Sequence, residues 1–243
     1  MNAAFGNLGS SLALGLVCLA GGSATFAGDV APELQVAWTV DGSSETGSLT
    51  GQGLGAGLYS YAYVSAGDGF QINWNFLVTD NGSAGGFEIL ASSLGFENTS
   101  GGDSTFEIDV LLPVTLDPGL AFYGGSMAGS LSGGANGGSL ASAGGALFNA
   151  FVDDQLIATL GDAPFSLTTD PFGSAELLPE SFGDPIPSLE AAAAQESMAI
   201  GMDFVLGNES TFAVTSNFVA QVPAPGAVAL LGLAGLASRR RRA

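Results

Sequence analysis

The chain has 243 residues, 23 acids against four bases and no histidine, a formal net charge of −19 at pH 7. Charged residues make up only 11% and hydrophobic ones 47%, so the chain has the apolar content for a buried core, and charge-driven disorder is a poor fit. All four bases are Arg239, Arg240, Arg241 and Arg242, and every acid lies between Asp29 and Glu209, so the body has no side-chain salt bridge available to it. A body without Lys or Arg has nothing to neutralise phosphates, which excludes nucleic-acid binding. Without His, Lys, Arg or Cys it also lacks the parts for Ser-His-Asp or Cys-His catalysis, a Schiff base, or a His/Cys zinc or copper site.

Residues 1–27 combine an apolar run, Leu12 to Ala20, with small residues and Thr25-Phe26-Ala27. That is the pattern of a secretory signal peptide cleaved after Ala27, although no base precedes the apolar run. The only cysteine, Cys18, falls inside this segment, so neither a disulfide nor a thiolate metal site is expected.

From residue 28 to 221 the strand period of two recurs. Leu34, Val36, Trp38 and Val40 share one phase, as do Tyr59, Tyr61 and Tyr63. The cleanest run is Phe70, Ile72, Trp74, Phe76 and Val78; Phe87 to Leu90 follows it after Asp80-Asn81-Gly82. Asn-Gly between alternating runs favours a tight hairpin, so these two runs are expected to be antiparallel neighbours. Phe106, Ile108, Val110 and Leu112 continue the pattern, then 148–160, then Ile200 to Leu206, then Phe212 to Phe218. Turn signals punctuate them at Asp41-Gly42, 67–69, 101–103, 117–119 and Gly207-Asn208. The expected fold is all-β, an antiparallel β-sandwich of jelly-roll-like type.

Three stretches interrupt the alternation. The glycine-rich 124–145 lacks the Gly-Lys-Ser/Thr ending of a phosphate loop and reads as a flexible loop or a pair of small-residue strands. The proline-rich 164–187 reads as a long irregular crossing, and 188–195, around four alanines, as a short helix.

The remaining chemistry is that of carboxylates. Glu107 and Asp109 lie i, i+2 on one strand, opposite Phe106 and Ile108, which makes them a candidate acid/base pair for glycoside hydrolysis or simply a solvated strand face. Asp153, Asp154 and Asp162, or Asp80 with Asn81, are candidate oxygen ligands for calcium, though neither fits an EF-hand loop. Trp38 and Trp74 are candidate sugar-stacking rings, but both lie on the apolar phase, which favours core packing. Three Asn-x-Ser/Thr tripeptides, at Asn81, Asn98 and Asn208, are read as coincidental. No catalytic residue, cofactor or metal is assigned.

The C-terminal residues 222–243 carry the most specific pattern. Val222-Pro223-Ala224-Pro225 is followed by eleven apolar and glycine residues, Ala227 to Ala237, and then by the four arginines. Eleven residues fall short of the roughly twenty of an ordinary spanning helix. The arginines hold that end in the cytoplasm, and the two prolines keep 222–225 extended and outside the helix. This order and position resembles the PEP-CTERM protein-sorting signal, with Ala224 where a glutamate is typical. The resemblance covers only this segment. It implies recognition by an exosortase, export through the inner membrane with a transient membrane-spanning stage, delivery to the envelope or extracellular matrix, and exopolysaccharide as a partner. The body is expected to be structural rather than enzymatic, with a calcium-assisted carbohydrate-binding module and a carboxylate-dependent glycosidase as alternatives.

Overall fold

The computed structural model describes residues 30–223, and the expected signal peptide, its Ala27 cleavage site, Ala224, Pro225, the apolar segment and Arg239 to Arg242 lie outside them. The described residues form sixteen strands and no helix. They are β1 (Glu33–Val40), β2 (Ser43–Thr50), β3 (Gln52–Gly55), β4 (Leu58–Gly67), β5 (Phe70–Asp80), β6 (Gly86–Asn98), β7 (Ser104–Pro113) and β8 (Leu120–Ser132). The second half gives β9 (Gly138–Ser142), β10 (Phe148–Val152), β11 (Gln155–Leu160), β12 (Ser166–Thr169), β13 (Ser174–Phe182), β14 (Leu189–Ala192), β15 (Ser197–Leu206) and β16 (Thr211–Gln221).

All pairings are antiparallel, and they build two eight-stranded sheets. One runs β11-β10-β15-β7-β1-β2, with β9 and β12 attached beside β15; the other runs β13-β8-β16-β6-β5-β4-β3, with β14 also on β8. Alternation decides which side faces in. In β16 the pattern of exposed and buried residues is strict from Thr211 to Ser216, and Phe212, Val214 and Phe218 are sealed. The core is therefore a layer between two sheets, as expected for a β-sandwich.

Aromatic rings join the layers. Phe106 and Phe204 from the first sheet meet Phe96 and Phe212 from the second, with ring centroids 5.0–6.1 Å apart. Trp38 and Trp74 face each other across the layers at 5.7 Å, and Trp74 Nε1–H donates to Ser65 Oγ at 2.9 Å. The described ends leave the same end of the sandwich. Tyr61 O–H, near the start of β4, donates to Pro32 O, and Gln221 pairs with Gly86 and Phe122 at the starts of β6 and β8.

Several expectations need correction. The helix expected over 188–195 is strand β14 followed by buried Ala193 and Ala194. Alanine tolerates either state, and pairing with β8 outweighs its weak helix preference. The proline-rich 164–187 contains β12 and β13; Pro179 falls where the β13–β8 ladder skips register between Leu177 and Glu180, a place that needs no N–H donor. β5 and β6 are neighbours as the alternation required, but the turn is wider than a two-residue hairpin. Asp80 Oδ1 accepts the Gly82 N–H, and Gly82 O accepts from both Gly85 and Gly86, which spreads the turn over residues 81–85. The glycine-rich 124–145 takes the strand alternative, in β8 and β9.

Candidate functional site

The outer face of the first sheet carries the acids singled out in the sequence. β7 is an interior strand between β1 and β15, so Glu107 and Asp109 stand on a sheet face and not at an edge. Register sets their neighbours: Thr39 and Asp203 flank Glu107, while Ala37 and Gly201 flank Asp109. The pair is thus a row of three, with Asp203 the member the sequence alone did not suggest. It sits 96 positions from Glu107 in the chain, and only the register brings them together.

Like charges on one face perturb each other. Burial, and then the Glu107 carboxylate, hold the Asp109 carboxyl above its ordinary value; the same two causes raise Asp203. Asp203 Oδ1 is enclosed and has no hydrogen-bond partner among the described residues. Both groups are easier to protonate than a free aspartate, which is the direction a general acid needs.

Beside this row lies an open trough of about 420 Å³ over β1, β2 and β7. Its walls are polar, with Gln35, Thr46, Ser48 and Asp109; Ala37 and Leu111 form an apolar floor. On the other flank, Gly201 has no side chain. A Cβ there would lie 3.2 Å from Asp109 Oδ1 and 3.1 Å from Phe151 Cε2, so carboxylate and ring close over the same bare backbone. A second open trough, of about 370 Å³, lies on the opposite sheet over Gly129, Ala213 and Ser130, next to β13.

The calcium candidates are not assembled. Asp153 and Asp154 form the β10–β11 turn, both with positive φ (47° and 61°), whereas Asp162 lies beyond the far end of β11 and accepts from Thr159 Oγ1. Asp153 is already engaged: its carboxylate accepts the N–H groups of Gln195, Glu196 and Ser197 at 2.8–3.1 Å. Burial alone would raise its pKa, but these N–H donors outweigh that and hold it below the ordinary carboxylate value. No group of three or more potential metal ligands occurs among the described residues.

Trp38 and Trp74 are 4% and 0% exposed, so both are core residues and neither stacks on a ligand. Asn98, in one of the Asn-x-Ser/Thr tripeptides, is fully buried. Its amide donates to Gly102 O and Leu206 O, and its Oδ1 accepts from Ser100 N–H and Ser104 O–H. Of the sorting motif, Val222 packs partly buried against the core and Pro223 is the last described residue.

No protein-family model matches the chain, and neither does any curated protein or any solved structure.

Proposed function

We propose that the chain is an exported envelope or extracellular β-sandwich protein with a structural, matrix-associated role, directed there by its C-terminal residues. The reading rests on one observation: the motif, the short apolar run and the arginines follow, in that order, directly after β16. Gln221 still pairs on both sides and Val222 packs partly buried against the core, so the sandwich ends at the first residue of the motif. The tail from Pro223 onward is then separable from the fold. Val222 to Pro225 would sit just outside the membrane as an extended peptide, the form a protease binds, while Arg239 to Arg242 remain inside. Exosortase cleavage there, with signal-peptide removal after Ala27, leaves a mature body with no basic side chain. The repeated passage of the chain between sheets, as from β6 to β7 to β8 and from β14 to β15 to β16, supports a jelly-roll-like reading of the sandwich. The body is structural rather than an enzyme.

Intact mass of the secreted protein tests this. A species beginning at Gly28 and ending near Pro225 is expected, and it should disappear when the exosortase of the host is deleted. A full-length C-terminus held stably in the membrane fraction would instead make the tail an ordinary anchor.

A further inference from the structure

The outer face of the first sheet has a composition that needs explaining. Gln35 and Ser48 are cross-strand partners, and so are Thr46 and Ala37, so three uncharged polar side chains gather on β1 and β2 above Ala37. None of these three, nor Asp109, has a side-chain hydrogen bond to any described residue. Across β7 the face continues over Gly201, itself buried, where the absence of a side chain lets Asp109 Oδ1 and the ring edge of Phe151 close together above the backbone. Phe151 is half-buried yet is not one of the hydrophobic residues packed against the core, so its ring belongs to this outer face.

Taken together, the strip offers an amide and two hydroxyls that both donate and accept, one carboxylate acceptor, and an aromatic ring whose edge meets that carboxylate over buried Gly201. A sugar chain has the complementary surface, with hydroxyls that donate and accept around apolar C–H faces that lie against aromatic rings. From β2 to β10 the strip crosses four strand spacings, roughly 19 Å at about 4.8 Å each. That is too long for one ring and suits an oligosaccharide laid across the strands. Charge narrows the class. Glu107, Asp109 and Asp203 line one side with no base among the described residues to offset them, so a uronate or sulfated sugar meets repulsion.

We propose that this strip, from Gln35, Thr46 and Ser48 through Asp109 to Phe151, with Gly201 beneath holding the last two together, is a binding site for a neutral polysaccharide. It does not depend on the sorting reading: the tail plays no part in it, and a chain that is never processed would still bind.

The test is affinity electrophoresis of the purified full-length chain in native gels containing dextran, a soluble β-glucan, a galactomannan or alginate. With a formal net charge of −19 at pH 7, the chain is expected to migrate toward the anode in the additive-free control. Retardation by at least one neutral glycan, little changed by about 1 M salt, where charge effects are screened to about 3 Å, is expected, with none by alginate. Gln35→Ala, Asp109→Ala and Gly201→Ser should each weaken binding roughly tenfold, the effect of about one good polar contact. Asp109→Ala relieves repulsion and should melt no lower than the parent, which separates loss of binding from loss of fold. The proposal is overturned by no retardation in any neutral glycan, by retardation in alginate alone or lost in high salt, or by binding that all three variants keep.

Discussion

Asp153 shows how much one side chain can organise when the backbone around it is fixed. Its left-handed φ of 47° closes the β10–β11 turn, and its carboxylate gathers three consecutive N–H groups from the segment leading into β15. Because the folded pKa lies below the ordinary 3.8, this contact stabilises the protein above about pH 4 and is lost as pH falls through the folded value. Asp153→Asn keeps an acceptor and tolerates the positive φ but removes the charge. We expect a loss of about 1 kcal/mol at pH 7 and a shallower acid limb in thermal melts; an unchanged acid limb would remove Asp153 from the account. Asn98 carries a larger share. Asn98→Ala strands buried partners, the Leu206 carbonyl among them, at about 1–3 kcal/mol for each buried group left unpaired. Chemical denaturation should show at least 3 kcal/mol lost, about one such group's upper value. Neither role was legible in the sequence. Asn98 reads locally as part of a tripeptide, while its bond partner Leu206 is 108 residues away. The core phase was legible, because the alternation of Ile72, Trp74, Phe76 and Val78 is written within seven consecutive residues and all four are buried.

Strand β8 explains why the sequence is rich in glycine where a flexible loop and small-residue strands are both open readings. It pairs with β16 on one side and with both β13 and β14 on the other, so its neighbours close in on the backbone itself. At Gly125 a Cβ would stand 2.7 Å from the Asn217 carbonyl and 2.5 Å from the Phe182 ring; at Gly129 it would stand 2.7 Å from the Ala213 carbonyl. A carbonyl held in a ladder cannot retreat as a side chain can. Gly125→Ala should therefore cost about 1–3 kcal/mol by overpacking, read as a lowered melting midpoint, although alanine is otherwise the better strand residue. An unchanged midpoint would mean that β8 shifts to accommodate the methyl. Pairing with β8 also decides the segment expected to be a helix, 188–195, which becomes β14. Local composition leaves the glycine-rich stretch open between loop and strand and favours helix for the alanines, and partner strands distant in sequence decide both. Glu107 and Asp109 were legible as one face of one strand; Asp203, Gly201 and Phe151, which complete that face, come from β15 and β10 and needed the register.

At the scale of the molecule, the absence of bases in residues 30–223 leaves the fold to apolar burial and hydrogen-bond ladders, with carboxylate repulsion set against them. This makes the response to pH unusual. Asp109 and Asp203 have folded pKa values above the ordinary 3.8, so between 3.8 and those raised values the folded state binds more protons than the unfolded one. Stability must then rise as pH falls from neutral through that window, since the slope follows the excess of protons in the unfolded state, here negative. Below the ordinary value the gain ends and the Asp153 contact begins to fail, so the melting midpoint should peak on the acid side of neutrality. Salt acts on the same repulsion. Raising it from about 0.01 M to about 1 M shortens screening from about 30 Å to about 3 Å, and at pH 7 the midpoint should rise with it. Asp203→Asn supplies the control. It removes one carboxylate of the row and relieves Glu107, so it should raise the midpoint at pH 7, flatten the rise on mild acidification, and leave the acid limb governed by Asp153 in place. If the variant instead melts lower at pH 7 and keeps the full acid-side rise, the repulsion lies elsewhere on the surface and the row on β7 and β15 is not its centre.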